Sequence, residues 1–188
     1  MTDYGRDLDT GVFYDYQSVN VREDEMVTEA VEGIGTTTIV SCPLEYVKIP
    51  GAAAGAYSEG DCVGTVVKVA VPKRGVIISA TLLELSDTTG QYDLEIFKQE
   101  YTAIASNAAW APTDSDLMTF VTELAFPAGD NQINAYTFEL TNIGKAYTAP
   151  QGYFYIQCVD RGTKTIVANM IPHFQLQIQS FDPGFKES

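Results

Sequence analysis

The chain has little of what most catalytic and metal-binding chemistry needs. Among 188 residues there is one histidine, His173, and one tryptophan, Trp110. One histidine cannot supply a usual zinc site, and no serine stands in a GxSxG setting that would support a Ser-His-Asp triad. The pair Gly33-x-Gly35 lacks the strand-to-helix context of a dinucleotide loop, and no GxxxxGK[ST] exists. Three cysteines, Cys42, Cys62 and Cys158, lie far apart with no CxxC spacing. An odd, scattered set argues against a disulfide framework, and we read them as small buried hydrophobes of a reducing compartment. No apolar run reaches the roughly 18 residues of a spanning helix. The opening MTDYGRDLDT carries acids where a secretory signal needs a basic stretch. The expectation is a protein made and kept in the cytoplasm, without cofactor or metal, and not an enzyme.

Basic charge is scarce as well. Eleven Lys and Arg face 25 Asp and Glu, for a net charge of −14, and the tightest basic grouping is Lys73-Arg74. Such a surface repels phosphate backbones and anionic bilayers, so neither nucleic acid nor membrane is expected as a partner.

What is present is unevenly placed. Residues 1–32 hold nine acids and two bases, half of the net charge. The same stretch carries Tyr4, Phe13, Tyr14 and Tyr16, with no sustained apolar period. Aromatics dispersed among acids suit an extended arm over 1–35 that grips a partner surface, with these four side chains its candidate contacts; packing of the arm on its own domain is the alternative. Next come GIGTTT and PGAAAGAYSEG, where Gly, Ala and Pro50 mark a connection. We read 36–56 as a strand and a Gly/Ala-rich linker, with the main domain over 57–188; a start near Thr36 is the alternative.

From there strand signals follow one another. CVGTVVKVAV over 62–71 is rich in β-branched residues, and VIISATLLEL over 76–85 is almost wholly apolar. YDLEIFK over 92–98 places Tyr92, Leu94 and Ile96 on one face and Asp93 and Glu95 on the other. INAYTFEL, YFYIQCV, a short run from Thr163 and FQLQIQS continue the series, the last with Phe174, Leu176 and Ile178 inward and three glutamines outward. The stretch Thr113-Asp114-Ser115-Asp116 is placed to cap one short helical turn before Leu117 and Met118. About eight strands joined by turns predict an all-β jelly roll or β-sandwich.

The acids offer the readiest chemistry. Asp93 and Glu95 are the candidate carboxylate pair for glycan cleavage, although a solvated strand face explains them as well. Asp87 with Asp93, or Asp114 with Asp116, offer oxygens to calcium, but without EF-hand spacing, and turn or cap chemistry serves equally. For a carbohydrate-binding module, Trp110 in NAAWAP is the candidate stacking residue. Tyr136, Tyr147, Tyr153 and Tyr155 are spaced for strand packing or for subunit interfaces.

The stretch 57–181 resembles the capsid decoration, or cement, proteins of tailed bacteriophages. It does so through AYSEGDCVG, VVKVAV, the Gly-led VIISATLLEL strand, DLEIFKQ, NAAWAPTDSDL and the closing FQLQIQS. The resemblance implies an arm followed by a jelly roll, set as homotrimers on the capsid surface of the virion and bridging subunits of the major capsid protein. Other virion roles (a head-fibre base, a head–tail connector, a tail protein) use similar sandwiches and remain alternatives.

Overall fold

The computed structural model describes residues 4–6, 13–15, 37–85, 90–127, 129–131, 135–162, 164–166, 171–182 and 185. The chain divides into two compact units, 1–36 and 37–188. In the first, β1 (Tyr4–Arg6) pairs antiparallel with β2 (Phe13–Asp15), Tyr4 opposite Asp15. Of the four aromatic contacts expected in the arm, Tyr4, Phe13 and Tyr14 fall in this ribbon, while Tyr16 and most of 1–35 lie outside the described residues.

The second unit is a jelly roll. Its main strands are β3 (Thr38–Lys48), β5 (Cys62–Ala70), β6 (Arg74–Glu84), β7 (Tyr92–Phe97), β8 (Phe120–Ala125), β10 (Tyr136–Thr148), β11 (Tyr153–Asp160) and β13 (His173–Ser180). Among the described residues all pairing is antiparallel, and one set of pairs is nested: β3 lies beside β13, β5 beside β11, β6 beside β10, and β7 beside β8. The ribbon so formed folds over into two sheets, ordered β3-β13-β6-β10-β9 and β5-β11-β7-β8, with β9 the short pair Asp130–Asn131. A separate two-stranded ladder joins β4 (Gly55–Tyr57) to β12 (Lys164–Ile166). The only helix among the described residues is α1 (Asp114–Leu117), which falls in the stretch expected to hold a capped turn and has Thr113 as its N-cap.

Periodicity explains the core. In β13, Phe174, Leu176 and Ile178 are buried and the intervening glutamines face outward, as the alternation predicts. Gln177 Nε2 donates to Ser41 Oγ at 2.9 Å, so the outer row helps to hold the edge strand. In β6 an irregularity opposite Gln177 and Ile178 turns a continuous apolar run into two inward sets, Ile77 and then Ala80 and Leu82. These meet Tyr92, Leu94 and Ile96 of β7 and Phe154 and Ile156 of β11 in one cluster. Each such fully buried large side chain contributes about 1.5–3 kcal/mol.

The sandwich does not begin at residue 57. β3, the strand read within 36–56, is an integral edge strand of the sandwich, and the Gly/Ala-rich part read as a linker is a fastened turn. Thr65 N donates to Pro50 O at 2.7 Å, and Ile49 is buried. Within the Gly/Ala run Gly51 is closely approached, a Cβ there meeting the Thr65 side chain. Gly64, at φ +73°, sits where β5 passes under this turn, and a Cβ would run into the Pro50 carbonyl and the Ile49 side chain. Gly64→Ala should therefore cost roughly 2 kcal/mol or more, from left-handed strain plus the steric clash. Urea unfolding of the variant checks this; an unchanged midpoint contradicts it.

Candidate functional site

The outer face of the β5-β11-β7-β8 sheet carries the molecule's densest polar cluster among the described residues. β7 projects Asp93, Glu95 and Phe97 to this face. Glu95 stands opposite Glu123 of β8 on one side and Gln157 of β11 on the other. Asp93 and Glu95 are each only 3 % exposed, which corrects the expectation of a solvated strand face. Arg161, just past β11, holds them. Its Nε donates to Asp93 Oδ2, and Nη2 reaches Glu95 Oε1 at 3.4 Å and Glu123 Oε2 at 3.8 Å.

Three carboxylates around one guanidinium leave an excess of negative charge. Burial first, and then Glu123 and Asp93, push the Glu95 carboxyl up to about 7, against the opposing pull of Arg161. A protonated Glu95 is thus well populated at neutral pH. Oxygens of Asp93, Glu95 and Glu123 all lie within 4.8 Å of one another, close enough to hold a metal ion. Arg161 already serves as their counter-cation, however, and a metal would have to displace it. For the same reason Asp93 and Glu95 are poorly placed as a hydrolytic pair: both are buried and both face the arginine.

The face is covered by the long β7–β8 connection. Tyr101 from this strap stacks on Phe97 at 4.3 Å between ring centroids, and its hydroxyl lies 3.5 Å from Gln157 Oε1. Trp110 meets Phe97 and Tyr101 edge-on, at 5.9 and 6.1 Å. The strap is stitched to β5 by Cys62 N to Ala108 O at 2.8 Å and Asn107 N to Cys62 O at 2.8 Å. Ser106 Oγ accepts from Gly64 N at 3.0 Å and shares a 2.8 Å bond with Tyr57 Oη. Trp110, the residue read as a stacking platform, is half-buried and engaged in this packing.

The remaining sequence candidates fall elsewhere. Asp116 Oδ2 accepts from Thr113 Oγ1 at 2.7 Å and Thr113 N at 3.1 Å, completing the helix cap. That bonding to Thr113 lowers its pKa, so its acid serves the turn. Asp87 lies outside the described residues. Tyr136, Tyr147 and Tyr155 are buried, while Tyr153 is partly exposed under the Lys68 ammonium, 4.1 Å above its ring. His173 opens β13 opposite Lys48; burial lowers its pKa and its Nδ1 has no partner. All three cysteines are buried thiols outside any disulfide; burial pushes the Cys62 thiol up to about 12 and the Cys158 thiol well above its usual value. Neither Cys62 nor Cys158 is a thiolate at neutral pH.

Sequence reasoning missed three participants. Arg161 and Glu123 sit in unremarkable contexts, and only the register brings them to Glu95. The third is a second acidic site inside the sandwich, where Glu84 of β6 and Asp160 of β11 are both fully buried. Gly162 N donates to Asp160 Oδ1 at 3.1 Å, and burial, aided by the charges of Glu84 and Asp61, pushes Asp160 up to about 6. No protein-family model matches this chain, and no curated protein matches it.

Because Glu95 and Asp160 bind protons more tightly folded than unfolded, their contribution to stability is complete below the ordinary carboxylate range. It is lost as pH rises through about 7 for Glu95 and about 6 for Asp160. The melting temperature should therefore fall between pH 5 and pH 7.5, and the double variant Glu95→Gln, Asp160→Asn should flatten most of that slope in a calorimetric series. A wild-type melting temperature that climbs over this interval contradicts the assignment. Arg161→Leu should destabilise by on the order of 3 kcal/mol at pH 7.5, because it strands buried carboxylates, and by clearly less at pH 5. Denaturant titrations at the two pH values read the difference.

Proposed function

We propose that the chain is a non-enzymatic structural protein that acts by binding other proteins. Its most specific reading is a capsid-stabilising decoration protein of a tailed bacteriophage. The supporting observation is where apolar and reactive groups lie. Asp93 and Glu95 on the outer sheet face are engaged by Arg161 and buried, and the cysteines are buried thiols. Large apolar side chains instead stand in water along the edge strand β3: Ile39 at 63 %, Leu44 at 70 % and Tyr46 at 44 % exposure. Leu44 and Tyr46 belong to a bulge whose carbonyls are pinned by Gln175, Nε2 donating to Pro43 O at 3.2 Å and to Leu44 O at 2.7 Å. A rigid, apolar protrusion loses little side-chain freedom on docking, which favours protein contacts.

The resemblance in sequence supplies the partner, the major capsid protein, and the site, the outer surface of a head assembled in the host cytoplasm. As a homotrimer the protein would bridge several capsid subunits, and weak contacts would add through high effective concentration. The acidic arm, with Tyr4, Phe13, Tyr14 and Tyr16, is the second contact.

Light scattering and co-sedimentation with expanded capsids lacking this protein test the reading. A trimer that pellets with capsids is expected, and deletion of 1–30 should abolish binding while leaving the jelly roll folded. Leu44→Asp with Tyr46→Asp should weaken binding by tenfold or more, as loss of two anchors at roughly 1–2 kcal/mol each implies. A monomer that ignores capsids overturns the decoration role.

A further inference from the structure

The strap over the four-stranded sheet does not lie flat. Beside Tyr101 it leaves an open cleft of about 340 Å3, whose lining includes Tyr101 and Tyr155, Val66 and Ala103, and the charged side chains of Lys68 and Glu100. This is the lower end of the size range of small-molecule sites. The phenol rings are largely buried and Lys68 and Glu100 are exposed, so the cleft has an aromatic and aliphatic interior with ions at its rim.

The charges decide what fits. The Lys68 ammonium already lies over the rings of Tyr153 and Tyr155, at 4.1 and 5.6 Å. An incoming cation would be repelled by that ammonium. An incoming anion would meet Glu100 on a chain of net charge −14. Among the described residues no ion pair joins Lys68 to Glu100, so one donor group and one acceptor group face the same space unpaired with each other. A ligand that satisfies both is neutral, carries adjacent hydroxyls, and has an apolar C–H face.

We propose that this cleft binds a neutral saccharide unit, one or two hexoses long, with hydroxyls bridging Glu100 and Lys68 and a C–H face against Val66, Ala103 and the exposed edges of Tyr101 and Tyr155. Trp110 is not the platform. It packs edge-on against Tyr101 and steadies the cleft wall. The site is independent of the capsid role, since it uses a different surface from β3.

The full chain, labelled for NMR, is titrated with glucose, galactose, mannose, N-acetylglucosamine, maltose and lactose, with glucuronate and choline as charged controls. The expected result is that at least one neutral sugar shifts the ring resonances of Tyr101 and Tyr155, and that the charged controls bind more weakly. Ala103→Trp, which fills the cleft from an exposed position, should abolish the shifts. Glu100→Ala and Lys68→Ala should each weaken binding about tenfold, the usual loss of a hydrogen bond to a charged group. Melting temperatures of all three variants should match the parent. Silence across the neutral panel, binding that survives Ala103→Trp, or equal binding of glucuronate or choline overturns the proposal.

Discussion

Much of this structure follows from one constraint: β7 is buried on both faces, although only one of them is apolar. Its inner side enters the common core through Tyr92, Leu94 and Ile96, and its outer side carries Asp93 and Glu95. A carboxylate taken out of water needs a counter-charge or a proton. The protein uses both. Arg161 is held across Asp93, Glu95 and Glu123, and the acid nearest the centre of the group is raised until protonation competes with pairing. The β7–β8 strap follows from the same need. It covers Phe97 with Tyr101 and Trp110, and its backbone is fastened to β5 rather than left to water. The cleft beside Tyr101 is the space that this covering layer leaves open.

The fold class was legible where burial is one-sided. FQLQIQS and the apolar half of YDLEIFK reported their strands faithfully, because a period of two has one physical cause. It failed where burial is two-sided or slight. Asp93 and Glu95 read as solvent-facing because alternation marks polarity, not depth, and the arginine that holds them is more than sixty residues away in sequence. β8 gave no signal, since Leu124 is the one buried residue in FVTELA. β10 runs on past Leu140 to Thr148 across an irregularity that contains Asn142 and Gly144, both at positive φ. In sequence, TNIG looks like a turn that ends a strand. β3 was assigned as a strand but not as part of the sandwich, because the Gly/Ala run after it resembles a tether.

The candidate site was only half legible. The sequence supplied two of its four charged members, and the register supplied Glu123 and Arg161. Trp110 attracted notice as the single indole, yet its surroundings are Phe97 and Tyr101. The rings that line open space, Tyr101 and Tyr155, were less conspicuous among eleven tyrosines. Rarity in composition is a poor guide to exposure, which is set by whatever packs over a residue.

The nested pairing also fixes where the second unit starts and stops. Thr38 opens β3 directly opposite Ser180, which closes β13, so the two ends of the jelly roll lie side by side in one ladder, about 5 Å apart. Topologically the domain is a closed loop with a narrow gap. Such a body can be spliced as a cassette into a surface turn of another protein, or its ends can be joined and a new break opened at an exposed turn, without moving a strand. Recombination could transplant it whole, because the host chain needs to spread by no more than one strand spacing to admit it.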